Sequence, residues 1–237
     1  MLTIHQLVKR RGSRTILSGI SFRAQPGRVT GFLGPNGAGK SSTLRIILGL
    51  DRADSGKALI NGKPYSHLRN PLATVGALLD GSGAHRARTG QAHLNWIARS
   101  AGLPRARVDE VLDIVGLSDA ASKRVGSYSL GMGRRLGLAA ALLGDPEILI
   151  LDEPVNGLDP EGIRWIRTFL RERAATGRTV LLSSHLMGEL SETVDDVVVI
   201  NQGRIVADGT LAEVIGAHSS LEDAFFALTT PNGRAAQ

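Results

Sequence analysis

An α/β fold built on a largely parallel sheet is predicted by three features of the sequence. Short apolar runs alternate with segments of helical periodicity, the pattern of strands joined by helical crossovers. One run, Val29–Leu33, leads into Gly34-Pro35-Asn36-Gly37-Ala38-Gly39-Lys40-Ser41, a glycine-rich turn followed by a helical pattern. A stretch of helical character across residues 80–144 predicts a subdomain set apart from the sheet.

Taken in order, residues 4–7 and 20–24 read as strands, and residues 29–33 as a buried strand ending at glycine. Residues 40–50 carry Leu44, Ile47 and Leu48 on one helical face. Residues 58–61, closed by Asn61-Gly62, read as a strand and tight turn, and residues 74–79 as a further strand. Residues 91–101 and 107–115 are amphipathic helices parted by Gly102-Leu103-Pro104, and residues 129–143 form a third. Residues 148–151 are a short apolar strand. Pro160–Ala175 is helical, with proline at a first-turn position. Residues 180–183, 197–200 and 205–207 are strand-like, the last two joined by a Gln202-Gly203 turn. Residues 221–228 are a short helix, and residues 231–237 a frayed tail. The expected organisation is a single domain over 1–237. Residues 1–79 and 145–228 form its core with a β subdomain, 80–144 a helical subdomain and 229–237 a tail.

At 237 residues the chain can bury a core without staples. It has no cysteine, which excludes disulfides, a thiolate nucleophile and a zinc–cysteine site. No apolar run approaches the 18 or so residues of a membrane span, and no signal peptide is recognisable, so a soluble chain is expected. The net charge of +6 raises nucleic acid or an anionic membrane surface as partners. The basic residues are scattered, however, and clusters such as Lys9-Arg10-Arg11 are short, which favours solvated faces.

The glycine-rich turn matches G-x-x-x-x-G-K-[ST] in full. Gly37 and Gly39 let the backbone wrap so that N–H groups face phosphate oxygens, and the helix N-terminus adds its dipole. Lys40 can reach the β- and γ-phosphates, Ser41 can ligate Mg2+, and Ser42 can bond the α-phosphate. Such a loop needs a second carboxylate for magnesium. Asp152, after the apolar residues 148–151, supplies it, and Glu153 can orient or deprotonate an attacking water. Nucleotide binding with hydrolysis is the chemistry these residues predict, with ATP and Mg2+ as ligands.

Ordered motifs over nearly the whole chain make it similar to the ATP-binding subunit of an ABC transporter. The fold this implies is a P-loop NTPase of ABC ATPase type, with a mixed, mainly parallel sheet core, an N-terminal antiparallel β part and a helical subdomain. Asn156-Gly157-Leu158-Asp159-Pro160 resembles the family's D-loop, which implies a nucleotide-site role for Asp159. His185, in Ser183-Ser184-His185, resembles the switch histidine that contacts the γ-phosphate. Tyr128-Ser129-Leu130-Gly131-Met132 stands where the family carries its Leu-Ser-Gly-Gly-Gln signature; Ser129 and Gly131 match, Leu130 and Met132 depart. Ser129 opens a helix whose free N–H groups form an anion site, or is an ordinary N-cap. In the family that site covers the γ-phosphate bound by a second ATPase subunit. The form of this motif, followed by Arg134-Arg135-Leu136-Gly137, resembles ATPases of ABC-2-type exporters related to daunorubicin- and bacitracin-resistance systems. Asp80 stands where the family has its Q-loop glutamine, which implies a contact with Mg2+ or water. Arg11 occupies the place of the aromatic that stacks on adenine; its guanidinium plane can stack on a base or be solvated.

The resemblance implies an ATPase that powers a membrane transporter, an exporter of drugs, antibiotics or other hydrophobic compounds. Its partners would be a separate multi-span permease and a second, identical ATPase chain around two nucleotides. Its location would be cytoplasmic, on the inner face of the plasma membrane through the permease. The loop of residues 80–90 would dock the permease. The alternative is an ABC ATPase acting on nucleic acid or ribosomes. The chain has one phosphate loop, and the span from Lys40 to Asp152 leaves no room for a long coiled coil, so no nucleic acid is expected. A regulator without turnover is the third reading, opposed by Lys40, Asp152, Glu153 and His185 together.

Overall fold

The computed structural model describes residues 1–79, 83–185 and 187–230, the side chain of Glu189 apart. The chain divides into two compact units, Met1–His67 with Leu170–Gln237, and Leu68–Phe169. Among the described residues no helix is long and apolar enough to cross a membrane.

In the first unit, β1 (Leu2–Arg11) and β2 (Arg14–Ala24) form an antiparallel hairpin. The third strand of this sheet, β4 (Ser55–Ile60), pairs antiparallel on the other edge of β1. Alternation places Leu2 and Ile4 of β1 and Ile20 and Phe22 of β2 in the buried layer, and register shifts in the β1–β2 pairing, between Ile4 and Leu7 and beyond, let Leu7 and Leu17 be buried as well. The hairpin runs further than its apolar pattern predicts. Residues 8–11 are paired with residues 14–18 although Lys9, Arg10 and Arg11 lack strand patterning. Cross-strand pairing, not side-chain burial, holds them extended.

The same unit carries the parallel layer. The central strand β3 (Val29–Leu33) lies parallel to β7 (Thr179–Ser183) on one side and to β8 (Asp196–Asn201) on the other. Beyond β8, β9 (Arg204–Thr210) runs antiparallel. Every residue of β3 and β7 is buried, as strands covered on both faces require, hence their unbroken apolar runs. Between β3 and β4 stands α1 (Lys40–Ile47), with Leu44 and Ile47 buried as predicted. The carboxyl end adds α7 (Met187–Ser191), α8 (Leu211–Ile215) and α9 (Leu221–Thr229). Thr210 and Glu213 form a capping box on α8, and the Ser220 hydroxyl accepts from the Asp223 N–H at 3.1 Å to start α9. Helices as short as α7 and α8 have too few turns to show a period, so sequence patterning missed them.

In the second unit, α2 (Pro71–Thr74) leads into β5 (Val75–Leu78), parallel to β6 (Ile148–Asp152) with Val75 opposite Ile148. Three helices pack on one another: α3 (Gly90–Ser100), α4 (Ala106–Ile114) and α5 (Leu130–Leu142). Leu94, Ala98, Val108, Val111, Leu112 and Leu136 are the apolar core they share. Thr89 caps α3 by accepting from the Ala92 N–H. Arg107 of α4 donates to the carbonyls of Leu142 at 2.9 Å and Leu143 at 3.1 Å, satisfying the last turn of α5. The long helix α6 (Pro160–Ala175) has the bounds its sequence predicts; its residues up to Phe169 belong to this unit and those from Leu170 to the first.

One buried group makes the second unit pH-sensitive. His93 on α3 is 4% exposed, and neither ring nitrogen has a hydrogen-bond partner. Its ring stacks toward Trp96, over which Arg88 lies at 5.1 Å. Burial, and then the Arg88 charge, hold its pKa below the ordinary 6.5. The folded imidazole therefore stays neutral where the unfolded chain takes up a proton. Its contribution is full above about pH 6.5 and is lost as the pH falls below that value. Between about pH 7.5 and pH 5.5 the wild-type melting temperature should fall by about 2–4 °C more than that of His93→Leu. Parallel profiles for the two proteins would show that His93 does not set this dependence.

Candidate functional site

The phosphate-type loop is built by the first unit. β3 ends at Leu33, residues 34–39 turn, and α1 begins at Lys40. Gly37 has φ +78° and Gly39 φ +118°, conformations that side chains rarely adopt, and Gly39 caps α1. Lys40 is 8% exposed. Its ammonium donates to the Gly34 carbonyl at 2.5 Å and to the Pro35 carbonyl at 3.4 Å, holding the turn closed. The first turn of α1 contains no acidic side chain, so nothing local opposes an anion at its N-terminus. Ser41 and Ser42 stand in that same turn. The Gly203 N–H donates to the Ala38 carbonyl at 3.0 Å, tying the β8–β9 turn to the loop.

His185 follows β7, whose Ser183 lies opposite Phe32 of β3 in parallel register. Ser184 and His185 therefore leave the sheet at the edge where Gly34 leaves it, and His185 is exposed there. A cavity of about 630 Å3 adjoins Pro35, Asn36, Gly37 and Ala38. Its other walls are residues of β2, the start of the β8–β9 turn and the end of α9. Arg11 is not among the lining residues: it stands at the end of β1 with its guanidinium 3.5 Å from Asp51. Asp51 also pairs with Arg45 at 3.1 Å, and that hydrogen bond holds its carboxyl below the usual range.

The second unit carries the two acids and the helix N-terminus. Asp152 ends β6 and is 7% exposed. Glu153 follows with φ +51°, the left-handed region that costs a side chain energy and that gathers at functional sites. Ser129 caps α5, its hydroxyl accepting from the Met132 N–H at 3.2 Å. Gly131 sits so close to the next loop that a Cβ on it would lie 2.8 Å from the Gly157 carbonyl. Asp159 caps α6 by accepting from the Gly162 N–H at 2.8 Å. Ser129, Gly131, Met132, Arg135, Gly157 and Asp159 line one cavity of about 280 Å3.

The two departures in this segment leave its geometry standing. Leu130 is 70% exposed and covers the Cα of Gly157 from outside, while position 132 contributes the N–H that Ser129 caps. Sequence reasoning gave no site role to Arg135. Its guanidinium donates to the Val115 carbonyl at 3.3 Å, lies 5.4 Å over the Trp165 ring and brings a cation to the cavity. Arg14, Ile16, Asn201, Gln202 and Thr229, on the wall beside the phosphate-type loop, were also missed. Their places depend on tertiary neighbours, and no motif marks them. Asp80, with Gly81 and Ser82, lies outside the described residues.

A family model described as ABC transporter matches residues 17–156. The chain is 38% identical over 205 residues to a bacitracin transport ATP-binding protein of Bacillus licheniformis, covering 85% of this chain and 67% of that protein. It is 34% identical over 208 residues to a lantibiotic transport ATP-binding protein of Streptococcus pyogenes, covering 88% and 90%. A solved structure of the ATP-binding subunit of an ABC transporter superposes with a TM-score of 0.87 at 26% identity, over 96% of this chain and 99% of that one.

Proposed function

The chain belongs to the ABC transporter ATP-binding family and is an ATPase, and from that premise we propose that it powers an exporter of antibiotics or similar hydrophobic compounds. The nucleotide part rests on one observation above others: the closed loop at the N-terminus of α1, with Lys40 folded onto Gly34 and Pro35 and no acid in the first turn. The export part is supported by the bacitracin and lantibiotic transport proteins to which the chain is similar.

In the proposed mechanism residues 34–39 cradle the phosphates through backbone N–H groups. Lys40 bridges the β- and γ-phosphates, and Ser42 bonds the α-phosphate. His185 contacts the γ-phosphate, and Glu153 orients the attacking water and takes its proton. Ser129 and Gly131, with Asp159 beside them, cover the γ-phosphate held by a second copy of the chain. ABC cassettes work as such pairs, and a homodimer with two equivalent sites is the arrangement proposed here. The Ser41 hydroxyl and the Asp152 carboxylate are hard oxygen donors suited to magnesium. That ion, when bound, neutralises phosphate charge. Asp80 is assigned to the same ion on the family resemblance alone.

The family's ATPases act with transmembrane permease subunits. The proposal gives this chain a separate permease, with residues 80–144 as the helical subdomain that meets it and the inner face of the plasma membrane as its location. Residues 1–79 and 145–228 are the proposed core. The test is purification of the tagged chain from native membranes, with its partners identified by mass spectrometry. An exporter-type permease of about six spans is the expected companion. Importer subunits would overturn export, and ribosomal or DNA-bound partners without a permease would overturn transport.

A further inference from the structure

We infer that Arg134 is a positioning residue for the paired ATPase: its hydrogen bond to Leu79 holds the Ser129 end of α5 and the strand ends beside Asp152 as one piece. This rests on the paired arrangement proposed above, in which Ser129 and Gly131 face the γ-phosphate held by a second copy. Nothing in the proposed mechanism uses the Arg134 side chain.

Arg134 stands on α5 five residues after the N-cap Ser129, about 7.5 Å along the helix. Its Nη1 donates to the Leu79 carbonyl at 3.0 Å. Its Nε is buried and has no partner among the described residues, so the bond to Leu79 is what fixes the guanidinium there. Leu79 directly follows β5. Leu78 of that strand lies opposite Leu151 of β6 in parallel register, and the next step of the ladder brings residue 79 level with Asp152. Such strands stand about 4.8 Å apart, and Glu153 follows Asp152 at once. One side chain thus ties the helix that carries Ser129 to the strand ends that carry the two acids.

The other end of α5 is held differently. A Cβ on Gly76 of β5 would collide with the Ala141 carbonyl, so helix and strand meet backbone to backbone there. Arg107 ties only the last turn of α5, and its apolar packing against α3 and α4 is non-directional. Neither fixes the tilt of the first turn. Ser129 lies twelve residues from Ala141, about 18 Å, so a tilt of about 5° moves it by about 1.5 Å. A misplacement of about 1 Å can cost a reaction about a hundredfold in rate. The Arg134 bond, made between these two points, sets the tilt.

The test removes the bond and reads pairing apart from nucleotide binding. It uses the full chain carrying Glu153→Gln, which removes turnover. Arg134→Met keeps the length of the side chain and deletes the donor; Arg134→Lys keeps a cation that can donate. The dimer dissociation constant at saturating ATP is read by analytical ultracentrifugation. ADP, which has no γ-phosphate for a second copy to cover, is titrated by calorimetry. Arg134→Met should raise the dimer constant about tenfold, and Arg134→Lys should return it to within about threefold of the parent. ADP affinity should stay within about twofold in both, because the phosphate-type loop belongs to the other unit. Melting temperatures should stay within about 4 °C of the parent. The proposal is overturned if the dimer constant does not move in Arg134→Met or if Arg134→Lys is no better. It is also overturned if ADP affinity falls as well or the melting temperature drops further, the mark of a merely structural bond. A Glu153→Gln chain that stays monomeric at saturating ATP before Arg134 is changed would sink the paired reading itself, a result distinct from all of these.

Discussion

Glu153→Gln is expected to lower ATP turnover by about 10²–10⁴-fold while leaving ATP binding intact. Glutamine keeps the size of the side chain and can still hydrogen-bond a water, but it cannot accept that water's proton. Binding should survive because the groups proposed to cradle phosphate stand elsewhere in the chain, at residues 34–42. A chain that binds and cannot hydrolyse should accumulate in its nucleotide-bound state, a dimer around two ATP molecules. Size-exclusion chromatography at saturating ATP should therefore show the variant at twice the mass of the nucleotide-free chain. A monomer under those conditions would count against the paired mechanism. Turnover at the wild-type rate would remove Glu153 from the role of base.

Lys40→Ala should act one step earlier, on binding. The wild-type ammonium is pre-positioned, buried and held by two loop carbonyls before any phosphate arrives. Its removal takes away charge-assisted hydrogen bonds worth about 1.5–3 kcal/mol, a rise of about 10–100-fold in the dissociation constant for ATP. It also leaves the Gly34 carbonyl without this donor, so a melting curve should accompany the titration. Reduced affinity with a wild-type melting temperature assigns the loss to the phosphate contact. Unchanged affinity would contradict the assignment of Lys40 to the phosphates.

Much of this architecture was legible in the sequence because it is written in local terms. β3 and α6 have the bounds their patterns predict: a strand covered on both faces shows an unbroken apolar run, and proline marks the first turn of the helix. The phosphate-type loop declares itself because conformation and chemistry demand the same few residues. Other parts were hidden for physical reasons. Residues 9–11 of β1 are extended by pairing with β2, and arginine carries no strand signal. α2, α7 and α8 have four or five residues each, too short for a period. Arg135 and Thr229 reach their cavities through neighbours distant in sequence. The resemblance marks position 11 for base stacking, and the contact of its guanidinium with the Asp51 carboxylate, forty positions along the chain, had no local signal.

The left-handed backbone at Glu153 sets the chemistry of the acid against the durability of the fold. Glycine would occupy that conformation without the penalty of about 1 kcal/mol per residue that a side chain meets there. A chain selected only for thermal endurance would drift toward glycine at this position and lose its carboxylate. With Glu153 as the proposed base, retaining glutamate is a compromise in which robustness is surrendered for turnover. A stabilised version of this ATPase obtained by unguided selection would be suspect at residue 153 before anywhere else.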